Sequence, residues 1–202
     1  MTASPASSLP RSIGVFGGSF DPIHNGHLAA AKSVLDALDL DEIVFVPAGN
    51  QWQKQNQTSA AHRLAMVRLA IAHEPAFSVS EVDTERTGPT YTFDTLTDLK
   101  ALHPRDKLFF ILGTDAASGL ASWRNASEML DLAQFVVISR PGSALELPEF
   151  AQGRVWTLDI PALDISSTDF RREATANRDV TGHVPASVLR YIEENNLYGI
   201  SK

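Results

Sequence analysis

The chain contains no cysteine. Disulfides, thiolate nucleophiles and Cys-ligated zinc are therefore excluded. No apolar run approaches the ~18 residues that span a bilayer, so no transmembrane helix is expected. The first residues are rich in Ser, Pro and Ala and lack a basic start followed by an apolar stretch. Residues 1–11 thus read as a flexible tail rather than a signal peptide, and a cytoplasmic location is expected. Basic residues are in the minority, with Lys plus Arg at 17 against 24 for Asp plus Glu and a net charge of −7. Nucleic acid and membrane surfaces are themselves anionic, so neither is an expected partner. A bound phosphate must be met by a local site. Residues 12–202 are read as a single domain, helical at its C-terminal end (about 165–200), with homo-oligomerisation left open.

What the sequence does have is an alternation of apolar strand-length runs with segments of helical period. The strand candidates are Ser12 to Phe16, Glu42 to Pro47, Phe77 to Ser80, Lys107 to Gly113, Phe135 to Ser139 and Val155 to Leu158. Runs such as Ile43 to Val46 and Leu108 to Leu112 are apolar throughout, as expected of strands covered on both faces. Helical spacing joins Leu28, Ala31, Leu35 and Leu38, then Leu64, Val67 and Ile71, then Phe93, Leu96 and Leu99. Val188 and Ile192 mark a last helix with Pro185 near its first turn. This pattern predicts an α/β fold: a doubly wound, mostly parallel, Rossmann-like sheet with helices on both faces. Ligands of such sheets bind beyond the carboxyl ends of the strands.

Two stretches in those positions carry chemistry. After the first strand stands Gly17-Gly18-Ser19-Phe20-Asp21-Pro22-Ile23-His24-Asn25-Gly26-His27. The glycine pair permits a tight turn that presents backbone N–H groups, and Ser19 adds a hydroxyl. A helix beginning near His24 or Asn25 points its positive end into the same space. His24 and His27 share one face of its first turn, and Gly26 leaves room for a ligand to approach the backbone. Imidazoles, hydroxyl and amides together suit a triphosphate. Taken alone, a histidine pair at a helix start is more often a cap or a surface feature. Zinc is a weak reading without Cys or a third ligand, so no metal-ligating residue is assigned. The spacing is not G-x-G-x-x-G, so a dinucleotide fingerprint fails.

The second stretch is Ile165-Ser166-Ser167-Thr168-Asp169-Phe170-Arg171-Arg172. Ser before a helical run caps it, and Ser167 and Arg171 then lie on one face. Hydroxyl, free amides and guanidinium converge on an anion, although a capped helix with surface arginines is the blander account.

Together these residues resemble the nucleotidyltransferase superfamily. Gly18 to His27 matches its G-x-F-D-P-x-H-x-G-H pattern, and Ile165 to Arg171 matches its I-S-S-T-x-I-R motif, with Phe170 at an aliphatic position. The order of Ile43 to Gly49, Ala61 to Leu64, Arg86 to Thr92, Gly113 to Asp115, Trp123, Ser139 to Pro141, Val184-Pro185 and Leu197 to Gly199 resembles bacterial-type nicotinate-mononucleotide adenylyltransferases, from about Ile13 to Gly199. One departure is Gln51-Trp52-Gln53-Lys54, where the family commonly has Pro-Pro-His-Lys.

The resemblance implies transfer of the adenylyl group of ATP to nicotinic acid mononucleotide, giving nicotinic acid adenine dinucleotide and pyrophosphate in NAD biosynthesis. It implies His24, His27, Lys54 and Arg171 as catalytic groups. ATP would be bound by Gly17, Gly18, Ser19, Phe20, Gly26, Gly113, Asp115, Ser166, Ser167 and Thr168. Thr90, Tyr91, Trp123 and Arg140 would contact the acceptor, and Mg²⁺ would accompany ATP. The alternatives are adenylyl transfer to nicotinamide mononucleotide or phosphopantetheine, and a noncatalytic nucleotide-sensing module.

Overall fold

The computed structural model describes residues 9–51, 58–139, 145–161 and 165–200. The chain order is β1 (Ser12–Gly18), α1 (Asn25–Ala37), β2 (Glu42–Pro47), β3 (Asn50–Gln51), α2 (Ala60–Ile71), β4 (Phe77–Val79) and β5 (Pro89–Thr90). There follow α3 (Thr92–Leu102), β6 (Lys107–Gly113), α4 (Thr114–Ser118), α5 (Ala126–Leu132), β7 (Gln134–Ser139), β8 (Val155–Asp159), α6 (Ser167–Thr175) and α7 (Ala186–Glu194). Six strands form one parallel sheet in the order β4-β2-β1-β6-β7-β8, and β3 pairs with β5 in a separate two-stranded ladder. The expected α/β architecture and all six expected strands of the main sheet are present.

The sheet sorts its side chains by the period-two rule of a strand. Ile43, Phe45 and Ile111 point to one face, where α1, α2, α6 and α7 bring Val34, Met66, Phe170, Val188 and Ile192. Ile13, Val15, Val44, Val46, Leu108, Phe110 and Leu112 point to the other, against Leu96 and Leu99 of α3 and Met129 of α5. Both faces of the inner strands are covered, which is why β2 and β6 contain uninterrupted apolar runs. Each fully buried aliphatic side chain contributes ~1.5–3 kcal/mol, so the two layers hold the strand ends where they are.

Two features of the edges matter for the site. Arg11 at the end of the expected tail is tied down, its N–H donating to Asp106 (3.0 Å) and its guanidinium pairing with Glu42. After β2 the chain passes close under residue 83: a Cβ built at Gly49 would stand 2.1 Å from the Asp83 carbonyl oxygen. That oxygen belongs to the backbone and cannot swing aside. Gly49→Ala should therefore cost ~1–3 kcal/mol of stability by overpacking. Gly113→Ala, where nothing lies within 4 Å of the new methyl, should cost far less. Urea unfolding of both variants checks the difference.

Candidate active site

β1 and β6 are neighbours whose onward connections leave in opposite directions, and a crevice opens at their carboxyl ends. A cavity of about 240 Å³ lies there. Gly17, Gly18 and Ser19 line it from the end of β1, Gly113 from β6, Thr90 and Tyr91 from the start of α3, and Trp123 from the turn before α5. Seven of the expected site residues are thus gathered by the topology from four separate segments. Trp123 also packs edge-on to Phe110, with ring centroids 6.3 Å apart, so it is both wall and core. Thr90 is buried and donates to the Asn50 carbonyl (3.2 Å). Tyr91 occupies the N-cap position of α3 without a side-chain cap bond.

The segment that leaves β1 carries the histidine pair. His24 is the N-cap of α1, with extended φ/ψ of −140° and 169°. The His27 N–H donates to His24 Nδ1 (3.3 Å), and the His24 N–H donates to His27 Nδ1 (3.2 Å). It is a capping box made of imidazoles. Both Nδ1 atoms accept, so in the neutral rings both protons sit on Nε2. The rings stack at 3.6 Å. Protonating either one would set a donor against a donor at Nδ1.

The environment pushes the same way. Burial, with the charge of His183 second, lowers the His24 pKa from 6.5 to about 4. Burial against Phe16 and Phe20, with the adjacent His24, holds His27 well below the ordinary histidine range. The pair therefore offers two neutral Nε2–H donors at physiological pH.

The Ser-Ser-Thr-Arg segment meets this loop. Ser166 caps α6, its Oγ accepting from the Asp169 N–H (3.0 Å). The Ser167 hydroxyl donates to the Pro22 carbonyl (2.9 Å) and Arg171 Nη1 donates to the Asp21 carbonyl (2.7 Å). Arg171 Nη2 reaches the Thr168 hydroxyl at 3.3 Å. Residues some 145 positions apart are thus joined two or three residues before His24. Arg172 turns away to pair with Asp169 (2.6 Å).

Several expected residues stand differently. The Phe20 ring is 1% exposed and packs on Phe16 and Phe45. The space at Gly26 is used by the protein itself: a Cβ there would lie 3.0 Å from His24 Nδ1 and 3.4 Å from the Ile165 carbonyl. Asp115 is exposed in the first turn of α4, and it is not among the residues lining the cavity. Lys54 and Arg140 lie outside the described residues.

Arg63 and Tyr198, to which the sequence assigns no role, hold the loop in shape together with Asp21. Arg63, 1% exposed, donates from Nη1 to the Ser19 carbonyl (2.7 Å) and from Nη2 to the Gly49 carbonyl (2.9 Å). Burial lowers its pKa, and the Asp21 carboxylate opposes that effect. Asp21, 3% exposed, accepts from the hydroxyls of Thr58 and Tyr198, each at 2.6 Å. Burial and this carboxylate push the Tyr198 pKa up, so the phenol remains a donor. Arg63 was visible as a charged residue on the apolar stripe of α2, four before Val67.

The lowered His24 pKa fixes a pH dependence. Between about 4 and 6.5 the unfolded chain binds a proton at His24 that the folded protein refuses. Stability is therefore lost as pH falls through that window. Buried Asp83, raised to about 6 by burial, acts in the opposite sense, losing stability as pH rises towards 6. The two are separated by substitution. Relative to the parent, His24→Gln should gain on the order of 3 kcal/mol on going from pH 7 to pH 4, measured by urea unfolding. A constant difference across that range would contradict the neutral assignment.

Comparison with known proteins adds independent findings. A family model described as cytidylyltransferase-like matches residues 15–173. A nicotinate-nucleotide adenylyltransferase of Leifsonia xyli is 50% identical over 191 residues, covering 95% of each chain. One of Mycobacterium tuberculosis is 49% identical over 194 residues, covering 92% of this chain and 91% of that one. The solved Plasmodium falciparum nicotinic acid mononucleotide adenylyltransferase complexed with NaAD superposes with a TM-score of 0.78 at 25% identity, covering 95% of this chain and 98% of that one.

Proposed function

The chain belongs to the cytidylyltransferase-like family, and from that premise we propose that it transfers the adenylyl group of ATP to nicotinic acid mononucleotide, releasing pyrophosphate. Relatives of nearly equal length at 50% identity bear the corresponding name. The observation that carries the reading is geometric. The loop from Gly17 to His24 runs from the wall of the cavity to the stacked histidines, and α6 docks on its carbonyls by Ser167 and Arg171. An acceptor in the cavity and a triphosphate along the loop would meet at the end of β1.

In this reading the pyridine ring lies on Trp123, within reach of Thr90 and Tyr91. ATP takes the N-terminal ends of α1 and α6, with Gly17, Gly18, Ser19, Ser166, Ser167 and Thr168 beside its phosphates. Gly113 and Asp115 serve the adenosine end, and Arg140 reaches the nucleotide. The acceptor phosphate oxygen attacks the α-phosphorus, and the bond from that phosphorus to the bridging oxygen of the β-phosphate breaks. The nucleophile is already an anion and the leaving group departs as one, so no proton need move. His24 and His27 donate hydrogen bonds to the oxygens that gain charge, assisted by Lys54 and Arg171. Mg²⁺ would arrive with ATP, held by phosphate oxygens and water, and would neutralise phosphate charge. Among the described residues no group of three or more His, Asp or Glu is arranged to hold it. The reaction is placed in the cytoplasm.

Pyrophosphate release with ATP and each of three acceptors tests this. Nicotinic acid mononucleotide should be preferred over nicotinamide mononucleotide and phosphopantetheine. His27→Ala should lower turnover at least ~10²-fold, the usual loss for one charge-stabilising donor. Equal use of the acceptors would refute the substrate, and an unchanged His27→Ala rate would refute the role of the histidine.

A further inference from the structure

We propose that Arg63 is a positioning residue for the transfer step: its guanidinium fixes the histidine loop against the opposite wall of the cavity, so that the two substrates meet in line. The inference rests on the adenylyl-transfer reading above and deepens it.

The two halves of the site leave adjacent strands and then part. The ladder between β1 and β2 runs to Gly18 and Pro47, and the Ala48 N–H donates to the Gly18 carbonyl (2.9 Å). One residue further on the two segments diverge. From Ser19 the chain runs to His24 and the start of α1. From Gly49 it runs into the ladder of Asn50–Gln51 with Pro89–Thr90, where the Asn50 carbonyl accepts from the Thr90 hydroxyl (3.2 Å). At the parting stand the carbonyls of Ser19 and Gly49. Two acceptors cannot bond each other. Arg63 bridges them, with Nη1 2.7 Å from the Ser19 oxygen and Nη2 2.9 Å from that of Gly49. The guanidinium thus adds one more rung where the backbone ladder ends.

The rung is rigid at each end. Arg63 is rooted in α2 between the core residues Leu64, Met66 and Val67. Its planar fork holds two donors at a fixed separation, which a lysine ammonium cannot do. Gly49 is pressed against the backbone of Asp83, and Thr90 is a wall of the cavity. The histidine loop and that wall are therefore joined through Ser19, Arg63, Gly49, Asn50 and Thr90. A misplacement of ~1 Å between reacting groups can cost ~10²-fold in rate even when each substrate still binds.

The competing account makes Arg63 a contributor to stability alone. The two accounts part on kcat against the binding of each substrate by itself, which neither ATP nor nicotinic acid mononucleotide complicates by reacting alone. Arg63→Lys keeps the charge and one donor. It should lower kcat ~10–100-fold and leave both dissociation constants within about threefold of the parent. Arg63→Met, which removes both donors, should lose at least as much. Val67→Ala truncates the core on the same helix without touching the fork. It should be less stable yet keep kcat within about twofold, assayed below its unfolding temperature. An unchanged kcat in Arg63→Lys, a loss that appears as weaker binding of either substrate, or an equal loss in Val67→Ala overturns the inference and leaves the reaction standing. So does an Arg63→Lys chain that fails to fold, since the residue would then serve the fold alone. A parent that transfers no adenylyl group overturns the proposed reaction and this inference with it.

Discussion

Every backbone carbonyl taken out of water must find a donor, and the loop between β1 and α1 is where that requirement bites hardest. Within four residues, the carbonyls of Ser19, Asp21 and Pro22 all point into protein. Each is met by a side chain from far along the chain: Arg63 for Ser19, Arg171 for Asp21 and Ser167 for Pro22. The Asp21 carboxylate is met by Thr58 and Tyr198. The loop is therefore a meeting point for α2, α6 and the C-terminal turn. Any displacement of it leaves several buried polar groups unpaired at once, each at ~1–3 kcal/mol. That penalty fixes where His24 begins α1, and so where both imidazoles stand.

On the proposed reading an acidic chain binds a polyanion, and the histidine pair would supply local donors without adding net charge. The reciprocal capping bonds leave Nε2 as the only protonated ring nitrogen, and burial keeps both rings neutral. A neutral donor makes a weaker hydrogen bond than a cation. It also costs no desolvated charge when the nucleotide is absent, and it cannot be titrated away near neutrality. Arg171 provides formal charge from α6, and it spends part of its fork on the Asp21 carbonyl. On the proposed reading, positive charge and structural duty would be combined in one side chain, so the anion site and the loop geometry could not be tuned separately.

Sequence patterning revealed the frame because the frame is built by burial. The inner strands of the sheet are apolar runs, and the ends of all six agree with the observed ones to within two residues. The helices at Leu28, Leu64, Phe93 and Val188 followed from apolar spacing. The short α4 and α5, and the two-residue ladder of Asn50–Gln51 with Pro89–Thr90, carry too few residues to show a period. Of the site, the residues with unusual local chemistry stood out: glycines, paired histidines and a serine cap. Residues that act through contacts at long sequence separation did not. Tyr198 sits in an ordinary-looking terminal segment, Arg63 shows only as a charge on an apolar stripe, and the partners of both exist only once Ser19 and Asp21 have been folded against them. Phe20 lies inside the Gly18 to His27 stretch, yet its ring belongs to the core.

The arrangement also explains why this sheet needs no general base for the chemistry assigned to it. β1 separates the two core layers, with Ile13 and Val15 facing one and Phe16 the other. At its carboxyl end the cavity with Trp123 lies on the α3–α5 side, and the histidine loop runs to the α1–α6 side. On the proposed reading, a phosphate approaching from the first side would meet a triphosphate lying along the second at the Gly17-Gly18 turn. The approach direction is then set by the sheet itself. Orientation can account for ~7–11 kcal/mol of a barrier when two reactants are held in line. A site that gains so much from position requires donors that stay put more than groups that shuttle protons. The buried, mutually capped, uncharged imidazoles of His24 and His27 are such donors.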